Sequence, residues 1–264
     1  MVEITVDDEH AGLIDASFSV IAHIHARMSF HEPASDLTRL RHAQAEETVE
    51  VDAETVTVLR MAIALYRSTA GLFDVGVGRA LVRGRFLPRD GIAALDCFSG
   101  NTSDIEILGD THVRIRQPIL IDLGGIAKGH AVDRAVELLI SKGAGVGLVN
   151  AGGDLRMFGN HDWEIQLRDA DDVVRRTMTM KNRAIASSAN LHNRRRVRGA
   201  LYTPHIGRDG ASILVDHRVS IIADRCIIAD AMTKVAMIDP ILADEILVAH
   251  NGYVLREELL AGAV

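Results

Sequence analysis

Apolar positions along this chain follow two periods. Ile14, Phe18, Ile21, Ala22, His25 and Met28 recur at helical spacing, which predicts an amphipathic helix over Ile14–Met28. Val2–Val6 alternates apolar and polar residues and predicts a strand. Asp52 is placed to cap a helix over residues 53–69, with Gly71 as its C′ residue. Residues 105–108 and 112–116 read as a hairpin around Gly109-Asp110. A buried strand over 119–123 leads into a helix over 126–142, stopped by Gly143, and a strand over 146–150 follows. Residues 163–167 and 173–180 predict a second hairpin across an Asp-rich turn.

A short strand at Ile185 runs into Ser187-Ser188-Ala189-Asn190, and Val219–Ala223 is a further strand. Residues 227–238 read as a helix, and Asp239-Pro240 supplies a cap and an N1 proline for one more. Tyr253–Leu255 closes the chain as a strand. Segments 29–36 (broken by Pro33), 79–101 and the basic run 194–198 are expected to be loops. Strands come both as hairpins and as strand–helix–strand units. The expected class is therefore α+β: one domain over residues 1–264, with mixed or antiparallel sheets packed against helices.

Composition narrows the function. Apolar residues make up 48% of 264, enough for a full globular core. A formal charge of −7 argues against a nucleic-acid binder. Cys97 and Cys226 lie far apart and make no C-x-x-C pair, which suits a reducing compartment. No transmembrane run and no signal peptide are legible, so the chain as written reads as cytoplasmic.

Residues 120–155 hold the densest candidate chemistry. Two strand ends, Gly124-Gly125, Gly152-Gly153 and one helix start fall there, and Lys128 sits in the helix's first turn. Helix N-termini and glycines favour close approach of phosphate. A lysine in that turn opposes the helix dipole unless an anion lies nearby. Asp122, Asp154 and Asp230 sit at strand ends or early in helices. Carboxylates beside a phosphate call for a cation such as Mg²⁺, although each Asp by itself also fits a cap or turn. Thr233 and Lys234 share Asp230's side of the last long helix: Thr233 offers a hydroxyl ligand, and Lys234 a salt bridge to Asp230. Phe73 reads as a core aromatic or as a wall beside a planar ring, with spacing favouring the first. Asp74 stands among glycines with little packing reason. His205 is a candidate general base or a satisfied surface histidine.

The stretch LIDLGGIAKGHAVDRAVELL followed by LVNAGGDL resembles the signature of the FAD:protein FMN transferases, the ApbE-like proteins once called thiamine-biosynthesis lipoproteins. MSFHEPASDLTRLR, AGLFDVGVGRAL, AIASSAN and SIIADRCIIADAMTK are similar, in order, to further segments of that family. The resemblance implies an ApbE-like, T-fold-related domain that binds FAD with Mg²⁺. It implies transfer of FMN from FAD to a threonine of an acceptor flavoprotein, with release of AMP. It places His31 in the early loop and Leu72, Phe73 and Asp74 at the flavin end. Asp122, Lys128 and His205 would meet the cofactor, with Asn150, Gly152, Gly153 and Asp154 as its floor. Gly125, Asp230 and Thr233 would bind the metal, and His205 and Asp230 would be catalytic.

Three departures stand out. Lys234 holds the place of the family's hydroxyl ligand, with Thr233 one position early. The family's His-Ile-Ile-Asp-Pro-x-Thr-Gly is shortened to His205-Ile206-Gly207-Arg208-Asp209-Gly210. The family's export or lipid signal is not in the sequence, so a periplasmic or anchored location is expected only if the N-terminus is trimmed. The alternatives are an FAD pyrophosphatase yielding FMN and AMP, and a non-catalytic flavin binder. Either a monomer or a homodimer is expected.

Overall fold

The computed structural model describes residues 1–168, 173–189 and 193–255. β1 (Val2–Val6) leads through a short 3₁₀ turn capped by Asp7 into α1 (Ile14–Met28). The Pro33 loop ends in an unexpected helix, α2 (Asp36–His42), which the Ser35 hydroxyl caps by accepting from Thr38 N–H. β2 (Glu47–Glu50) follows, then α3 (Ala53–Ser68), capped by Asp52 as expected. α4 (Gly78–Arg83) is a second helix in a segment read as loop. β3 (Ile105–Ile107) and β4 (His112–Ile115) form the expected hairpin.

α5 (Ala127–Ser141), β5 (Val146–Ala151) and β6 (Asp154–Gly159) come next. β6 was not expected from the sequence pattern. The β5–β6 turn is Gly152-Gly153, with φ of 67° and 98°, so both positions need the left-handed freedom of a primed hairpin turn. β7 (Trp163–Arg168) pairs with β8 (Val174–Met180), and the Asp-rich turn between them lies outside the described residues. β9 (Ala184–Ser188) follows, and Asn190 beyond it also lies outside them. The basic run is not all loop: β10 (Arg195–Val197) pairs with β11 (Ala200–Tyr202). β12 (Val219–Ala223), α6 (Cys226–Ala236), α7 (Pro240–Leu247) and β13 (Tyr253–Leu255) complete the described chain.

One expected strand is not formed. Ile119, Leu120, Ile121 and Leu123 are buried, but residues 119–123 join no ladder. Gly78 N–H donates to Leu120 O at 2.9 Å, and Asp122 N–H donates to Val75 O at 2.8 Å. Their apolar run reflects burial on all sides, which periodicity cannot separate from a core strand.

The main sheet has the order β1-β5-β6-β9-β12-β13, with every neighbouring pair antiparallel. Val132, Val136 and Leu139 of α5 pack on Val149 of β5 and Phe158 of β6. Leu155, Met157 and Ile185 pack instead with Ile165, Leu167 and Met180 of the β7–β8 ribbon. The fold is thus α+β, with the sheet between helices and a ribbon. α6 is buried on all sides except at Lys234. None of the described helices is long and apolar enough to cross a membrane.

Candidate functional site

Two cavities meet over the start of α5. One, about 460 Å³, is walled by apolar side chains including Ile24, Met28 and Leu123. The other, about 540 Å³, is walled by Phe86, Ser187, Ser188, Arg195 and His205 among others. They share Leu87, Asp122, Gly124 and Lys128. A narrow slot of about 60 Å³ opens from the second cavity between Leu72, Phe73, Asp74, His205 and Lys234.

Charged groups crowd the junction. The Lys128 ammonium bonds Asp154 and lies 3.7 Å from Asp230 Oδ1. Lys234 Nζ lies 3.7 Å from the same oxygen. It donates to Ser188 Oγ at 2.8 Å and to Thr233 Oγ1 at 3.0 Å. Burial pushes Asp154 up to about 6, Asp230 adds to the rise, and Lys128 opposes it. Burial also raises Asp122, against the Gly124 N–H and the Lys234 charge. Burial opposes the Lys128 charge, but Asp230 and Asp154 outweigh it and raise the group. Burial lowers Lys234, against the pull of Asp230.

The helix N-terminus is less open than the sequence suggested. Ala127 N–H donates to Leu123 O, and Gly129 N–H donates to Asp230 Oδ2 at 3.2 Å. These donors are taken within the chain, so the cationic work at this junction falls to the two lysines. Gly125 has its own reason to be glycine, since a Cβ there would meet Lys234 Cε at 3.0 Å. The lysine stem crosses the glycine.

Several expected residues gather here. Leu72 and Phe73 are buried core residues that also line the slot. Asp74 ties its own loop together. Its Oδ1 accepts from Gly76 N, Thr102 N and Thr102 Oγ1 at 2.7, 3.1 and 2.6 Å. His31 lies on the rim of the apolar cavity. His205 lines the slot, and its Nδ1 is buried with no hydrogen-bond partner among the described residues. Burial, then Lys234, lowers its pKa to about 3. That environment favours the neutral imidazole near pH 7.

Gly152 borders the apolar cavity and, with Asn150 and Gly153, also lines a neighbouring cavity of about 580 Å³ beside the β7–β8 ribbon. Asn150 caps its own turn by accepting from Gly153 N–H at 2.9 Å.

Sequence reasoning missed Ser188 and Asp133. Ser188 signals itself only as a hydroxyl at a strand end. Asp133 looks like any helix residue, yet it is buried and holds α6 to α5. It accepts from Cys226 N and Ile227 N at 2.9 and 3.0 Å and pairs with Arg156 at 2.9 Å.

The oxygens at the junction make a poor Mg²⁺ site. Among the described residues, no three His, Cys, Asp or Glu side chains form a metal-holding group. Thr233 Oγ1 donates to Asp230 O at 2.7 Å, lies 2.9 Å from Ser188 Oγ and accepts from Lys234. An ion about 2.1 Å from Asp230 Oδ1 would stand within about 6 Å of each ammonium. Both ammoniums repel an ion at that position, against the attraction of Asp230 itself, and the Thr233 hydroxyl is already engaged. The set Gly125, Asp230 and Thr233 does not fit Mg²⁺ in this arrangement.

A family model described as the ApbE family matches residues 1–252. The FAD:protein FMN transferase of Vibrio cholerae is 27% identical over 239 residues, covering 83% of this chain and 71% of that protein. The protein of that name from Rhodobacter capsulatus is 29% identical over 204 residues, covering 71% of this chain and 39% of its own. Among solved structures, the ApbE protein of Thermotoga maritima superposes with a TM-score of 0.81 at 27% identity, covering 97% of this chain and 93% of that one. The flavin transferase ApbE of Vibrio cholerae gives a TM-score of 0.75 at 23% identity, over 96% and 88% of the two chains.

Proposed function

Because the chain belongs to the ApbE family, we propose that it cleaves the diphosphate of FAD and moves FMN to a threonine hydroxyl of an acceptor flavoprotein. The observation that carries this reading is the pair of cavities meeting on Lys128. That shape suits a molecule with two bulky ends joined by a diphosphate. The apolar cavity suits a planar ring, and the junction supplies cations where the phosphates would lie.

The chemistry follows from the charges. The acceptor hydroxyl oxygen attacks the FMN-side phosphorus and forms a new P–O bond. The anhydride bond to the AMP phosphate breaks, and AMP leaves with that electron pair. Lys128 and Lys234 stabilise the charge that grows on the leaving phosphate. The hydroxyl proton passes to a carboxylate. Asp154 suits this best, since a group near pH 6 is ionised at neutral pH yet still basic enough to accept it. Asp230 holds both ammoniums in place and receives the Gly129 N–H. His205 packs beside the slot as a neutral imidazole. Mg²⁺ takes no part in these steps, because the folded donor set does not fit it.

Incubating the protein with FAD and a flavoprotein bearing a target threonine tests the reading. Mass spectrometry should find the acceptor heavier by one FMN and AMP in equal amount. Free FMN with an unlabelled acceptor would mean hydrolysis instead, and intact FAD would sink the reading.

A further inference from the structure

Resting on the transferase reading, we propose that Lys234 is the resident counter-cation of the diphosphate site and takes the place of a divalent ion. The expected i, i+4 salt bridge to Asp230 is present, but at 3.7 Å it is too long for a hydrogen bond, and the two short bonds of Lys234 Nζ go to the neutral hydroxyls of Ser188 and Thr233. Those hydroxyls aim the ammonium while Asp230 balances its charge from 3.7 Å. Lys234 is also the one residue of α6 that is not buried, and its side chain is 27% exposed. That exposure opens into both the slot and the larger cavity.

The rest of the site is built around this lysine. Gly125 leaves room for its stem, since any Cβ would press on Lys234 Cε. Thr233, the hydroxyl nearest to a metal-ligand position, spends its oxygen on Asp230 O, Ser188 and Lys234. Lys128 approaches the same Asp230 oxygen from α5. Lys128, tied to Asp154, and Lys234 both stand 3.7 Å from Asp230 Oδ1, where they face a bound diphosphate and repel a divalent ion from that oxygen. The chain therefore binds the flavin dinucleotide without divalent metal.

Flavin fluorescence titrations of FAD in EDTA and in Mg²⁺ test this, together with Mn²⁺ uptake by the flavin-free protein followed by electron paramagnetic resonance. Wild type should show the same affinity, within about twofold, in both buffers and take up no Mn²⁺. Lys234→Thr should weaken FAD binding in EDTA by about 10- to 100-fold, the size of one charge-assisted hydrogen bond. It should recover in Mg²⁺ and begin to take up Mn²⁺. Lys234→Met keeps the stem without charge or ligand, and should be weak in both buffers. Circular dichroism melts confirm that each variant folds. Tenfold weaker wild-type binding in EDTA, stoichiometric Mn²⁺ uptake by wild type, or full affinity in Lys234→Met would each overturn the proposal. FAD bound in EDTA but never cleaved under any condition would overturn the transferase reading and leave the Lys234 assignment standing.

Discussion

Two buried groups give this protein opposite pH responses. Asp154 sits near pH 6 in the fold and near 3.8 when free, so the folded state holds the extra proton between those values. Its contribution is fullest below about pH 4 and falls, by on the order of 3 kcal/mol, as pH rises through about 6. His205 behaves the other way. Its pKa drops from 6.5 to about 3, so its contribution is present above 6.5 and lost as acid forces a proton into the fold. That loss grows to about 5 kcal/mol as pH nears 3. Urea denaturation from pH 4 to 7 should separate the two. Asp154→Asn should gain stability relative to wild type as pH rises from 4 to 7. His205→Asn should remove part of the acid lability below 6.5. A variant curve parallel to wild type over its window would show that the group's titration is not coupled to folding. Asp154→Asn should also abolish the rise in AMP release near pH 6.

At the scale of elements, the site depends on the α5–α6 crossing. Gly129 lets the two helices touch: a Cβ there would lie 2.3 Å from Cys226 O. Asp133, one turn on, accepts two N–H groups from the first turn of α6. Together they set where Asp230 meets Gly129 N–H and where Lys234 emerges. Gly129→Ala should cost about 1–3 kcal/mol or more through overpacking. Asp133→Asn leaves Arg156 facing a neutral partner and weakens the cap, at a cost of about 3 kcal/mol. Both should weaken FAD binding although neither residue lines the cavities at the junction. Unchanged FAD affinity in a destabilised Asp133→Asn would mean that the crossing supports folding alone.

Across the whole molecule, protection should follow burial. α6, β9 and β12 form the buried centre, whereas β8 keeps mostly exposed residues. Amide exchange should be slowest at Ile221 and Ile227–Met232 and fastest among the described strands in β8. Equal rates in β8 and α6 would contradict this layering. The α+β class, most helices and the collinear site segments were legible because hydrophobic period and turn residues are local properties. Asp122, Lys128, Asp154 and Asp230 stood out for the same reason: carboxylates and a lysine beside small residues at element ends. The short helices α2 and α4 were not legible, because capping partners outweigh so few residues of pattern, and β6 was missed because its pairing with β5 and β9 is set across space. The order of residues alone settles which charges this protein carries and on which elements. How those charges are used was settled by folding. It assigned the Ala127 and Gly129 N–H groups to the chain itself and set Lys234 within 3.7 Å of Asp230 and in hydrogen-bond reach of Ser188. Those outcomes depend on distances between residues up to about a hundred positions apart, where charge and desolvation act through space and not along the chain.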